Sequence, residues 1–420
     1  MVSVGEDVVS TTPAVELPGL SAELDTPFWR ETFELHRGGK LAVTSRVPLE
    51  DRSDLAKAYT PGVAAVCAAI REHPELSFEY TGRANTVAVV SDGSAVLGLG
   101  RIGPEASMPV LEGKAVLFKK FGWVDAVPIA LELPGVDRVR EFVEAVAAIA
   151  PSFGGINLED VAAPECFEIE RQLSERLDIP VFHDDQHGTA VVVLAGLLNA
   201  CRATGRELDE LRVVVLGAGA AGVACTKLLL AAGVGDVAVV DSKGVIDVER
   251  APMLDGTKLW LAKNTNRAGV SGSVRDALRG ADVFLGVSGP RLVEPGWLAE
   301  MADPAVVFAL ANPDPEVDVD AAPANVRVVA TGRSADVNQI NNVLAFPGIF
   351  RGLLDARATR VDDVAKIAAA RGLASLVTDE QIAAGRVVPS PFDPQVAPTV
   401  AAAVTARLTS RPSIATQELS

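Results

Sequence analysis

The chain is 420 residues long, 49% hydrophobic and 22% charged, which is enough apolar mass for two cored domains. A net charge of −17, from 38 basic and 55 acidic residues, argues against nucleic-acid and anionic-membrane partners. No apolar run reaches the length of a membrane span, and residues 1–20 are too acidic for a signal peptide. Cys67, Cys166, Cys201 and Cys225 show no C-x-x-C spacing, so a reducing, cytoplasmic setting is expected.

In chain order, residues 1–26 mix Val, Ser, Thr, Pro and acids without periodicity and read as a disordered arm. A short helix over 27–36 is ended by Gly38-Gly39. A second helix covers 51–58, and YTPGVA (59–64) follows, with Pro61 suited to the first turn of another helix. Residues 86–90 form a strand leading into the turn Ser91-Asp92-Gly93. The segment 96–122 is glycine-rich at first and helical after Met108. A strand over 124–131 and a helix over 136–149 complete the alternation.

The next stretch, 154–190, opens with GGINLED (154–160) and closes with FHDDQHGTA (182–190). Two apolar runs, 153–158 and 179–182, end in the acid pairs Glu159-Asp160 and Asp184-Asp185. Acids past the carboxyl ends of neighbouring parallel strands point into one crevice. They repel one another there unless a cation neutralises them. An all-oxygen set suits Mg²⁺ or Mn²⁺ and disfavours zinc. The other reading is that both pairs cap the helices that follow. Spacing leaves the two readings side by side.

Beyond an apolar helix over 189–201, RVVVLGAGAAG (212–222) is a buried strand turning into a helix. Further strands are expected at 237–240, 282–287, 306–310 and 326–330. The result is a doubly wound Rossmann-type domain with strand order 3-2-1-4-5-6, followed by two or three Ala-rich helices from 361 onward. The expected division is an α/β catalytic domain over 27–186 and a dinucleotide-binding domain over 187–420.

GAGAAG (Gly217, Ala218, Gly219, Ala220, Ala221, Gly222) fits the G-x-G-x-x-G fingerprint in its strand-to-helix context. Asp241 ends the second strand 19 residues beyond Gly222, where an acid accepts the ribose hydroxyls of NAD. Ser242 and Lys243 follow it and are able to hold the 2′-phosphate of NADP, or Lys243 is an ordinary turn lysine. The choice between NAD and NADP stays open on these residues.

Taken together the motifs resemble the malic enzymes, specifically the compact bacterial type, from about residue 28 to the C-terminal helices. The matching segments are YTPGVA, LEGKA (111–115), GGINLED, FHDDQHGTA, GAGAAG, ALANP (309–313) and NQINNVLAFPG (338–348). The resemblance implies oxidative decarboxylation of L-malate to pyruvate and CO₂, with NAD(P)⁺ reduced and Mg²⁺ or Mn²⁺ required. It implies Tyr59, Lys114 and Asp184 as catalytic residues: Lys114 the base at the C2 hydroxyl, Tyr59 the acid that protonates the enolate, Asp184 orienting Lys114. It implies Glu159, Asp160 and Asp185 as metal ligands, and Asn312, Asn341 and Asn342 as malate-binding residues, Asn312 also meeting the cofactor. Ser242-Lys243 is similar to the NADP-using branch, which favours NADP. On their own these residues also have plainer readings: a surface lysine, a packing tyrosine, and asparagines that form turns and caps. The sequence departs from larger malic enzymes where they carry an arginine just before LGLG; here Ser94-Ala95 stand in that place.

A homodimer is expected, because the helices around Leu55 and Val63 are apolar on one face and need covering. An amino-acid dehydrogenase would share the two-domain plan but not the acid cluster. An inactive dinucleotide sensor would keep GAGAAG without needing Tyr59, Lys114 and the acids.

Overall fold

The structure is a computed structural model that describes residues 26–96, 98–254 and 256–409. The arm expected over 1–26 lies, except for Thr26, outside the described residues. The chain divides into two compact units, 1–42 and 43–420. In the first, α1 (Pro27–His36) starts on a proline, whose missing N–H costs nothing in a first turn, and stops before Gly38 and Gly39, both at positive φ. Lys40 Nζ lies 2.9 Å from His36 Nε2.

The second unit begins with α2 (Arg52–Ala58), capped by Asp51, then α3 (Gly62–Glu72) and a single turn α4 (Ser77–Tyr80). Neither α2 nor α3 buries a residue. There follow β1 (Thr86–Ser91), α5 (Pro104–Gly122), β2 (Asp125–Ala130), α6 (Arg138–Ile149), β3 (Gly155–Leu158), α7 (Glu165–Arg176), β4 (Val181–His183) and α8 (Asp184–Thr204). These strands form one parallel sheet in the order β2-β1-β3-β4. Strand β1 is central, and its side chains alternate. Val87 and Val89 face a core with Leu111, Phe118 and Phe350, while Ala88 and Val90 face Phe142, Val146, Ile169 and Leu173. A sheet covered on both sides reads as a continuous apolar run, which is what 87–90 is.

The chain continues through β5 (Arg212–Leu216), α9 (Ala220–Ala232), β6 (Asp236–Asp241), β7 (Gly244–Val245), α10 (Gly256–Asn264), α11 (Val274–Leu278), β8 (Val283–Gly286), β9 (Ala305–Ala309) and β10 (Val326–Thr331). The second sheet has the order β10-β9-β8-β5-β6-β7. Counted from β5 in chain order, this is the expected 3-2-1-4-5-6. The sequence gives no sign of its third strand, because β7 has only two residues and pairs antiparallel with β6, making Ser242-Lys243 the tip of a hairpin. Four helices, α12 (Phe346–Asp355), α13 (Asp363–Ala374), α14 (Asp379–Ala383) and α15 (Val396–Thr409), close the chain.

Helix α8 is continuous across positions 186–187. Fourteen of its 21 residues are buried, and its apolar length belongs to one core that joins residues of both sheets, from Val87 to Val215. The residues at its N-terminus are therefore held by a rod anchored in the bulk of the molecule.

Candidate functional site

Strand β3 stops at Leu158, so Glu159 and Asp160 leave the sheet at its carboxyl edge. Its neighbour β4 runs directly into α8, which places Asp184 and Asp185 in the first helical turn. Neither pair caps a helix. Pro164 precedes α7 without a side-chain cap, and His183 is the N-cap of α8, its Nδ1 accepting from the Gln186 amide at 3.4 Å. The capping alternative therefore falls away, and the acids are free for other partners.

One carboxylate oxygen each from Glu159, Asp160 and Asp185 lies within 4.8 Å of the others. Asp185 Oδ2 accepts the amide of Asp160 at 2.8 Å. Asp160 itself sits at φ 53°, a region that Asp tolerates better than most residues. Asn157 Nδ2 holds Glu159 Oε2 at 2.9 Å. Asp184 turns the other way, toward Lys114 on α5, whose Nζ is 2.5 Å from Asp184 Oδ2 and 2.9 Å from Glu159 Oε1. The ammonium also lies 4.4 Å from the centre of the Phe346 ring.

Four carboxylates around one ammonium in a buried pocket leave excess negative charge. Burial, then the charges of Asp185 and Glu159, push Asp160 up to about 8. Burial pushes Asp184 up to about 6 against the pull of Lys114, and raises Glu159 as well. For Lys114, burial alone lowers the pKa, but Asp184, Glu159 and Asp185 reverse this and carry it above the ordinary lysine range. Asp160 Oδ2 and Asp184 Oδ1 are buried without a hydrogen-bond partner. Orphaned anionic oxygens in an all-carboxylate set fit a hard divalent cation, whose charge would relieve the crowding.

The other expected residues are distributed unevenly. Asn342 packs close to α8, since a Cβ on Gly188 would lie 2.9 Å from Asn342 Cβ and 2.1 Å from Asp184 Oδ1. Asn341 spends its Oδ1 on the Val343 amide at 2.9 Å, the turn-capping role open to any asparagine. Asn312 is exposed beyond β9, against Gly332. Tyr59, between α2 and α3, is 68% exposed and makes no hydrogen bond to Lys114 or the carboxylates among the described residues. Ser94 accepts the Ala162 amide at 2.9 Å, and Ala95 donates to Asp160 O at 3.0 Å.

In the second sheet the glycine turn has the geometry its spacing predicts. Gly217 is at φ 123°, and a Cβ on Gly222 would lie 1.9 Å from Gly217 O, so only glycine allows α9 to start this close to β5. A Cβ on Gly219 would meet nothing within 4 Å, leaving open space before the free amides of α9. Asp241, at the end of β6, is not a bare acid. Arg250 Nη2 lies 3.0 Å from both its oxygens and Lys258 Nζ lies 2.8 Å from Oδ2. Burial would raise its pKa, but the bonds from Arg250 and Lys258 hold it down to about 2. The exposed residues Ser242 and Lys243 form the adjacent hairpin tip. Sequence spacing misses Arg250 and Lys258, since neither lies in a recognisable motif.

A dinucleotide turn on a doubly wound sheet, beside a lysine buried among carboxylates on another, defines a nicotinamide-dependent oxidoreductase. Family models agree: malic enzyme N-terminal domain over residues 38–174 and malic enzyme NAD-binding domain over 186–409. The chain is 52% identical over 375 residues to an NAD-dependent malic enzyme of Geobacillus stearothermophilus, covering 89% of this chain and 77% of the relative. It is 46% identical over 384 residues to an NADP-dependent malic enzyme of Halomonas elongata, covering 87% and 89%. The crystal structure of a malic enzyme from Pyrococcus horikoshii superposes with a TM-score of 0.86 at 46% identity, covering 91% of this chain and 90% of that one. The chain belongs to the malic enzyme family. No helix among its described residues is long and apolar enough to cross a membrane.

Proposed function

We propose that the protein oxidises and decarboxylates L-malate to pyruvate and CO₂, reducing NAD(P)⁺, with a divalent cation held by Glu159, Asp160 and Asp185. The observation that carries this reading is Lys114 buried between Asp184 and Glu159, with Glu159 itself converging on Asp160 and Asp185. When bound, Mg²⁺ or Mn²⁺ supplies Lewis acidity toward the C2 oxygen of malate.

Lys114 takes the C2 hydroxyl proton as hydride leaves C2 for the nicotinamide ring. With the acids alone around it, Lys114 is held as an ammonium. A cation held among those acids would offset their charge and favour the neutral amine that a base requires. Asp184, fully buried and 2.5 Å away, orients the amine and stabilises it once protonated. Loss of CO₂ leaves an enolate, to which Tyr59 gives a proton at C3. Asn312, Asn341 and Asn342 hydrogen-bond the substrate, with Asn312 also toward the nicotinamide.

Gly217–Gly222 and the free amides at the start of α9 would hold the pyrophosphate of the cofactor. NADP is favoured. Asp241 is already neutralised, and Lys258, Lys243 and Ser242 cluster where a 2′-phosphate would arrive. Tyr59 reaches the site in a homodimer, across the face formed by α2 and α3, neither of which buries a residue within its own chain. The buried free thiols of Cys166, Cys201 and Cys225, all pushed up to about 12 by burial, suit a cytoplasmic setting.

The test is absorbance at 340 nm with malate, Mn²⁺ and either NAD⁺ or NADP⁺. Activity that needs both malate and the metal supports the reading. Oxidation of an amino acid without metal would overturn it.

A further inference from the structure

On the far flank of the acid pair, outside the set that meets Lys114, Glu170 of α7 points at the junction of β4 and α8. Only 15% of its side chain is exposed. Oε1 accepts the backbone amide of His183 at 3.1 Å, and Oε2 accepts Gln186 Nε2 at 3.2 Å. His187 Nε2 lies 2.8 Å from Oε1 and 3.0 Å from Oε2. One carboxylate thus holds residues 183, 186 and 187, which bracket Asp184 and Asp185 on both sides.

The chemistry of the junction explains why an acid stands there. β4 is the edge strand of its sheet, so an amide on its outer side has no strand to pair with. The Gln186 side-chain amide and the His187 ring add two side-chain donors from the first turn of α8. A carboxylate offers enough lone pairs to take three such donors at once, which an amide or hydroxyl side chain does not. The ring of His187 is fixed from behind: Lys366 Nζ of α13 lies 3.2 Å from Nδ1 and is itself 3.0 Å from Asp363 Oδ1. An ammonium only donates, so Nδ1 accepts and Nε2 carries the proton given to Glu170. The chain of contacts Lys366–His187–Glu170 therefore runs from α13, across α8, to α7.

We propose that Glu170 is a positioning residue for the metal site: it sets the direction in which the first turn of α8 presents Asp185 and Asp184. The proposal rests on the metal-site reading above. Its physical basis is that ligand oxygens must be held within roughly 0.5 Å of the productive geometry, and rigid partners of the ligands supply that precision. Removing the carboxylate leaves three donors without an acceptor, and the turn is then free to rotate toward water to satisfy them.

The experiment compares the full chain with Glu170→Ala, Glu170→Gln and Glu168→Ala, the last an exposed neighbour on the same helix that pairs with Arg171. Mn²⁺ binding is measured without substrate, from the electron paramagnetic resonance signal of the free ion. NADPH binding is measured by fluorescence. Glu170→Ala is expected to weaken Mn²⁺ binding roughly 10- to 100-fold, the size seen when partners that orient ligands are lost. NADPH affinity is expected to stay within about twofold, since the glycine turn belongs to the other sheet. Glu170→Gln keeps one acceptor and should fall between parent and alanine; Glu168→Ala should match the parent.

Equal Mn²⁺ affinity in Glu170→Ala and the parent overturns the proposal while leaving the metal-site reading intact. Parallel loss of Mn²⁺ and NADPH binding also overturns it, by showing general damage. A parent that binds no Mn²⁺ removes the metal-site reading and the proposal together. Should Glu170→Ala fail to fold, Glu170→Gln decides alone: weaker Mn²⁺ with unchanged NADPH supports the role, and no change in either refutes it.

Discussion

At the scale of single residues the site is governed by charge that its own groups do not balance. Glu159, Asp160 and Asp185 converge while Asp184 is committed to Lys114. Replacing one charged oxygen donor is therefore expected to cost more than its volume suggests. Asp185→Asn should lower turnover at limiting Mn²⁺ by at least roughly 100-fold, because a direct ligand matters more than the partners that orient it. NADPH binding should be untouched; full activity at limiting Mn²⁺ would refute the ligand role. Asp241 carries a second prediction. Its folded pKa of about 2 lies below the unfolded value, so its pairing stabilises the fold fully above about pH 4 and is lost as pH falls toward 2. The melting-temperature gap between the parent and Asp241→Asn should be constant from pH 5 to 8 and close below about pH 4. The same cluster governs cofactor choice. Lys258→Ala should cut kcat/KM for NADP⁺ relative to NAD⁺ by about tenfold, the loss of one charge-assisted contact. An unchanged ratio would mean that Lys258 serves Asp241 alone. The acids and Asp241 stand out in the sequence because each closes or follows a recognisable apolar run, whereas Lys114 is singled out only by the likeness of LEGKA to the family. Arg250, Lys258 and Glu170 do not stand out, since their meaning comes from chain brought close only by folding.

Among elements, the informative ones are those whose local pattern and tertiary role diverge. The 86–90 run announced a strand, and GAGAAG announced a strand-turn-helix, because both patterns are imposed by sterics within a few residues. Strand β7 was invisible: two residues cannot show a period, and only pairing to Val240 and Asp241 makes them a strand. The division expected at 186–187 falls within α8. That helix is continuous, and its buried face belongs to a core that includes residues of both sheets. The glycine turn gives a prediction at this scale. A methyl group at 222 meets the Gly217 carbonyl, which is backbone and has nowhere to go, so the strand and helix must part. Gly222→Ala should therefore abolish NADPH binding while Mn²⁺ still binds at the carboxylate edge of the first sheet. Retention of cofactor affinity would show that the turn relaxes more readily than its contacts allow.

At the scale of the whole molecule, Tyr59, the proposed proton donor, makes no hydrogen bond to Lys114 or the carboxylates among the described residues. Tyr59 is 68% exposed, and Leu55, Val63 and Val66 beside it are exposed as well, on two helices that bury nothing. The homodimer proposed above would give these water-facing apolar residues a surface to pack against. A two-fold pairing would cover that face in both copies with the same residues. If it also carries Tyr59 into the partner's carboxylate pocket, each active site is composed of two chains. The consequence is a complementation experiment. Homodimers of Tyr59→Phe lack the acid, and homodimers of Lys114→Ala lack the base, so both should be nearly inactive. In a mixed dimer one pocket has both lesions and the other has neither. After verified subunit exchange, statistical mixing makes half the dimers mixed, each with one intact site, so activity should return to about a quarter of the parent's. Sedimentation must show a dimer throughout. If exchanged mixtures stay inactive, Tyr59 and Lys114 serve the same chain's pocket, and α2 and α3 must fold back onto it when substrate binds.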